Sequence, residues 1–225
     1  MNIRTLIIGL VTVFTLAGCS TQERMDYTDF TNSTPRSILV VVSQADTEDE
    51  TAVPSVFSSA SLPLSEAGYY VIPVTSANDT LVRNGGRDPV SIRNIPHKKL
   101  KELFGADAVM YLTINDYKAY YILLDSYFMV SVTAELVDLS TGKTIWKETS
   151  EESNESGLLL STDIVSTLVS ALIRHGLNEL MDVGNYLSVS NSYNLFTPDN
   201  SYLTNPILNG PHSPNYRKDK VLSGK

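Results

Sequence analysis

The alternation running from Ala108 to Thr149 constrains this chain more than anything else in it. Ala108, Met110, Leu112 and Ile114 fall on one side of an extended chain, and Val109, Tyr111, Thr113, Asn115 and Tyr117 on the other. The device repeats with Phe128, Val130, Val132, Ala134 and Leu136 on one side and Met129, Ser131, Thr133 and Glu135 opposite. Ser140-Thr141-Gly142-Lys143 reads as a tight turn, after which Thr144 to Thr149 return as a third antiparallel strand carrying Trp146. A meander of this kind packs one face on helices and leaves the other partly open.

Upstream, Pro35 marks the entry to Ser37-Ile38-Leu39-Val40-Val41-Val42, an apolar, β-branched run that reads as a buried strand. Val53, Val56, Phe57, Ala60 and Leu64 then recur at spacings of three and four, as on one face of a helix. Pro54 suits its first turn, Pro63 implies a break, and Gly68 implies its stop. Tyr69 to Val74 reads as a second strand, so strand, helix and strand predict a parallel βαβ unit. Leu81 and Val82 belong to a short helical piece, Asn84 to Pro89 form a loop, and Ile95 to Phe104 form a helix turning Leu100, Leu103 and Phe104 inward. Ser156 to Met181 carry a three-four apolar stripe from Leu160 to Leu180, predicted as a helix covering the sheet. The expected fold is α/β, α+β-like: a mixed sheet of about five strands with helices packed on one face, spanning residues 35–183.

Residues 184–225 are rich in Asn and Ser and punctuated by Pro198, Pro206, Pro211 and Pro214, without a useful period. They are either a disordered end or an extended arm. Tyr193, Leu195, Phe196, Tyr202, Ile207, Leu208 and Tyr216 supply apolar anchors for wrapping.

The N-terminus has one positive charge, Arg4, an apolar run from Leu6 to Leu16, and small residues before Cys19. That is the layout of a secretory signal, and the run is too short for a membrane-spanning helix. Leu16-Ala17-Gly18-Cys19 resembles the bacterial lipoprotein signal, in which the cysteine is acylated with chains such as palmitate and becomes the first mature residue. The alternative is an ordinary cleaved signal with a chance cysteine. Cys19 is the one cysteine in the chain, so packing alone must hold the fold. The expected organisation is a signal at 1–18, a lipidated N-terminus and flexible tether at 19–34, the domain, and the arm. Ser20 after the cysteine implies the outer membrane and its periplasmic face, with the cell surface as the alternative.

Beyond Arg4 the chain carries 16 basic and 25 acidic side chains. That balance argues against nucleic acid and against electrostatic docking on anionic lipid. His97, His175 and His212 lack metal-ligand spacing, no Gly-x-Ser-x-Gly elbow occurs, and the acidic run Asp46 to Glu50 reads as a loop and helix start. No catalytic residue, metal ligand or cofactor is expected, and the chain reads as a non-enzyme. Tyr111, Tyr117, Tyr120, Tyr121 and Tyr127 cluster around the first hairpin, either as a contact surface or as ordinary cross-strand packing.

Glu66-Ala67-Gly68-Tyr69-Tyr70 and Phe104-Gly105-Ala106-Asp107-Ala108, with Pro35-Arg36-Ser37-Ile38-Leu39-Val40, Leu136-Val137-Asp138-Leu139-Ser140-Thr141-Gly142-Lys143 and Gly210-Pro211-His212-Ser213-Pro214-Asn215-Tyr216, resemble a family of neisserial surface lipoproteins. That family is similar to the N-terminal α/β domain of the periplasmic TolB protein and, more distantly, to the curli-secretion lipoprotein. The resemblance implies an ordered arm and a place in an envelope assembly, secretion or transport complex, with protein partners such as a curli-secretion-like lipoprotein. It supplies no catalytic residue. The alternative is a small-ligand or peptide binding lipoprotein serving a transporter, with a pocket lined by Tyr117, Tyr120 and Tyr127. A homodimer fits either reading, because an exposed sheet edge or a swapped arm invites two-fold pairing.

Overall fold

A computed structural model describes residues 24–122, 125–154 and 183–223. Its first element is a one-and-a-half-turn helix, α1 (Thr28–Ser33), which leads into β1 (Ser37–Ala45). Ile38 to Val42 of β1 are buried without alternation, as in a strand covered on both faces. Helices α2 (Ala52–Ser59) and α3 (Ser61–Glu66) follow. They break at Ala60 because Pro63 has no N–H to offer the Ser59 carbonyl. β2 pairs with β1 only at Tyr70–Val71, in parallel, and Val74 already begins the next helix. The strand expected over Tyr69 to Val74 is therefore shorter. Pro73 ends it, since it cannot donate to a ladder and is well placed at a helix start.

Helices α4 (Val74–Arg83), α5 (Pro89–Arg93) and α6 (His97–Phe104) lead to the long hairpin of β3 (Ala108–Ile122) and β4 (Asp125–Asp138), and then to β5 (Thr144–Ser153). The sheet order is β2-β1-β3-β4-β5, with β1 parallel to both of its neighbours and the rest antiparallel. This is the mixed five-stranded α+β fold that the sequence predicts. Two further helices, α7 (Val183–Phe196) and α8 (Lys220–Ser223), flank a C-terminal stretch without regular structure.

The larger core lies between α2, α3, α7 and one face of the sheet, around Val40, Met110, Leu112, Ala134, Leu136 and Trp146. A second, smaller core covers the other face at one end, where Leu39, Val41, Val109 and Val137 meet Ala77, Leu81, Ile95 and Leu100. Helices thus occupy both faces there, a layer beyond the single one expected. Farther along, this second face is open and polar. Asn115 donates to Thr133 at 2.9 Å, and the Thr133 and Thr149 hydroxyls lie 2.8 Å apart.

Two stretches are more ordered than their composition suggests. Residues 27–34, expected to be tether, fold onto the domain, with Tyr27 and Phe30 in the larger core. Residues 184–196, expected to lack a period, lie in α7. Its inward face is Gly184, Leu187, Ser188, Asn191, Ser192, Leu195 and Phe196. The three-four spacing is present, but small and polar side chains carry four of these seven positions. The predicted helix over Ser156 to Met181, with His175, lies outside the described residues, as do the signal and Cys19.

Candidate functional site

The structure divides the tyrosines. A bulge between Ile114 and Asp116 shifts the register of β3. One extra residue reverses every side chain beyond it. Tyr117, expected on the face of Tyr111, therefore turns to the opposite one and is fully buried, edge-on to Phe128 with centroids 5.1 Å apart. Its hydroxyl lies against Gly184 of α7, where a Cβ would sit 2.2 Å away. Tyr111 is buried in the smaller core beneath the Arg93 guanidinium, 4.1 Å from its ring. Arg93 in turn meets Glu135 at 2.9 Å. Burial alone would raise the Glu135 carboxyl, but the Thr144 hydroxyl and Arg93 hold it below the ordinary glutamate range.

Tyr120 and Tyr127 stack at 5.2 Å on the open face, where the Tyr120 hydroxyl donates to Asp116 and Lys118 lies 5.0 Å from the Tyr120 ring. These two belong to a surface; Tyr111 and Tyr117 belong to cores. The Tyr121 side chain lies outside what the structure describes. Among the described residues Tyr117 does not join Tyr120 and Tyr127 around one space, because it sits on the opposite face of the sheet from that pair.

A denser constellation holds the C-terminal arm to the domain. Between α7 and α8 the arm has little backbone pairing of its own, so buried side chains satisfy it. The Trp146 indole donates to the Asn205 carbonyl at 2.8 Å, Tyr27 to Pro206 at 2.7 Å, and Tyr69 to Leu208 at 2.6 Å. The Glu148 carboxylate accepts from the Asn205 N–H, and Asp219 Oδ1 accepts from both nitrogens of Asn209. Burial first, and Asp219 next, push the Tyr69 hydroxyl well above its ordinary range, so it stays a donor.

The arm's tightest contact is backbone on backbone. Gly210 donates to Ala67 at 2.7 Å and His212 to Gly68 at 3.0 Å. Gly68 has φ +95°, and a Cβ there would fall 2.4 Å from the Ser213 nitrogen. A Cβ on Gly210 would fall 2.5 Å from the Gly68 carbonyl. Both positions need the missing side chain.

Two cavities adjoin this lock. The inner one is mostly apolar, lined by Phe30, Tyr69, Leu208, Tyr216 and Leu222, with Asp219 among them. Asp219 is buried and its Oδ2 has no hydrogen-bond partner. The outer one is open and polar, lined by Thr34, Arg36, Pro211, His212, Tyr216 and Arg217. Among the described residues no group of His, Cys, Asp and Glu is placed to hold a metal ion, and the acidic loop caps its own chain, Asp49 accepting from Thr51 at 2.8 Å.

Residues 25–212 match the GNA1162-like lipoprotein family. The chain belongs to that family. A Neisseria meningitidis serogroup B protein, named as lipoprotein NMB1124/NMB1162, is 38% identical over 213 residues, 92% of this chain and 96% of that one. The crystal structure of lipoprotein GNA1162 from Neisseria meningitidis aligns at 34% identity and TM-score 0.52, covering 64% of this chain and 99% of that one. A PelC dodecamer from Paraburkholderia phytofirmans aligns at 19% identity and TM-score 0.41, over 71% of this chain and 87% of that one. The match to the GNA1162-like family runs from just before α1 to His212, so the segments that form α1 and most of the arm lie within it. The two segments Glu66 to Tyr70 and Gly210 to Tyr216, 140 residues apart in the sequence, prove to be one contact. The roles of Asn205, Glu148 and Asp219 escape the sequence pattern. The signal for them was indirect: Tyr27, Tyr69 and Trp146 each bring a polar atom that needs a partner once the ring is buried.

Proposed function

We propose that this GNA1162-like lipoprotein is a lipid-anchored, non-catalytic accessory of an envelope assembly, secretion or transport complex, held through Cys19 at the outer membrane with its domain on the periplasmic face. The observation that carries the reading is the short span between Cys19 and the packed Tyr27. Eight residues reach at most about 28 Å when fully extended. With Cys19 acylated, the domain works within that distance of the bilayer, and its partners are proteins at the same surface. Family membership supports the anchor, and no helix among the described residues is long and apolar enough to cross a membrane. The span available as a tether shortens to residues 19–24, since Met25 already donates its N–H to Asn205 at 2.8 Å, and the arm is part of the domain's surface.

The test is cross-linking of the full-length lipoprotein in its own cells, detergent extraction, and mass spectrometry of what travels with it, with Cys19→Ser as control. Recovery of another envelope lipoprotein or a pore, dependent on Cys19, is the expected result. Recovery of the chain alone under several growth conditions defeats the reading.

We further infer a homodimer, supported by the ribbon of the hairpin beyond Ile114 on β3 and Met129 on β4, where neither β1 nor β5 pairs with it. Unpaired edges of this kind invite a second strand. Sedimentation showing only monomer at high concentration removes it.

A further inference from the structure

We propose that Arg36, His212 and Arg217 form a binding site for a phosphate group at the outer pocket beside the arm lock. The chain as a whole is acidic, with a formal charge of −8. This pocket inverts that balance: three of its six lining residues are basic and none is a carboxylate. Neither arginine makes an ion pair with a carboxylate among the described residues; Arg217 lies over the Tyr216 ring, 5.3 Å from its centroid. Of the neighbouring carboxylates, Asp107 Oδ2 accepts from the backbone nitrogens of Arg36 and Ser37, and Asp219 accepts from Asn209 through Oδ1 and lines the inner cavity, which Arg217 also borders.

Thr34, at φ +45°, is the left-handed cap that ends α1, and Arg217 has φ +60° in a turn of the arm; both line the pocket. Guanidinium groups match phosphate oxygens with paired donors, and the Thr34 and Tyr216 hydroxyls add neutral ones.

The phosphate has two sources, a phospholipid headgroup or a soluble phosphate. The six residues of α1, about 9 Å of helix, separate the chain's entry from Thr34. An anchored domain therefore brings the pocket within reach of headgroups; that preference rests on the anchor proposed above, whereas phosphate binding does not.

The experiment uses the whole mature chain, residues 19–225, with Cys19→Ser to remove acylation. Calorimetry with inorganic phosphate at low salt is paired with flotation on phosphatidylcholine vesicles, with and without phosphatidic acid. Arg36→Gln/Arg217→Gln weakens phosphate binding at least about tenfold. Lys98→Gln/Lys99→Gln on α6 removes the same charge elsewhere and leaves binding unchanged, and both variants are checked for wild-type melting. Phosphate binding with flotation on phosphatidic acid supports the site and assigns the headgroup; phosphate binding without flotation supports it and assigns a soluble ligand. No phosphate binding by the parent chain, or equal losses in the two variants, overturns it. Partner capture reads out separately, so either proposal can fail while the other stands.

Discussion

Gly68 shows how much one missing side chain decides. The lock needs a left-handed residue at 68 and an arm backbone lying directly on it. Gly68→Ala meets both obstacles at once, strain at φ +95° and a 2.4 Å approach to Ser213. We expect a loss of roughly 2–3 kcal/mol in urea unfolding, together with new proteolytic cleavage between 205 and 219. Full wild-type stability and protection would show that the arm does not depend on this contact. Glycine at 68 was legible in the sequence as a helix stop. Its second duty was not, because the partner lies more than 140 residues away.

At the scale of elements, α7 is fastened by polar side chains rather than by an apolar stripe. Asn191, buried, donates to the carbonyls of Ser150 at 2.8 Å and Val130 at 3.3 Å, and the Ser59 and Ser192 hydroxyls meet at 2.7 Å. Asn191→Ala leaves both sheet carbonyls without that donor, and we expect it to cost about 1–3 kcal/mol by urea denaturation. Glu152 of β5 faces the same helix, accepting from Ser190 and Asn194. Burial raises its carboxyl above the ordinary glutamate value of 4.5, although those two hydrogen bonds oppose the shift. Just above pH 4.5 the folded chain then holds more protons than the unfolded one, and wild-type stability falls as pH rises through that window. Glu152→Gln removes this dependence. Thermal melts of wild type and variant should diverge in the variant's favour from pH 4 to pH 8; parallel melts would show that Glu152 is solvated.

For the whole molecule, the question is which surfaces are free to meet a partner. Tyr120 and Tyr127 stack on the open face without supporting either core. The Tyr120→Ser/Tyr127→Ser variant should therefore keep wild-type melting within about 0.5 kcal/mol, as surface changes do. If the ribbon is the contact surface, the same variant lowers the yield of cross-linked partner. Unchanged capture would move the interface to another face. Tyr117→Ser is a poor test of the same idea, since that ring fills the larger core.

The sequence alone determined the sheet. Period-two alternation over Ala108 to Thr149, the continuous run Ile38 to Val42 and the Ser140 to Lys143 turn each express local geometry, which a chain carries without its partners. The family resemblance was legible for the same reason, in short contiguous segments. Tertiary structure decided the rest. One bulged residue reversed Tyr117, and Asn191 and Ser192 stood in for apolar residues on α7. The side chains that hold the arm lie just before α1, just before β2 and on β5, and none of them sees the arm until the fold brings these places together. The basic pocket has the same origin: Arg36 and Arg217 are 181 positions apart, and only the closed arm sets them around one space.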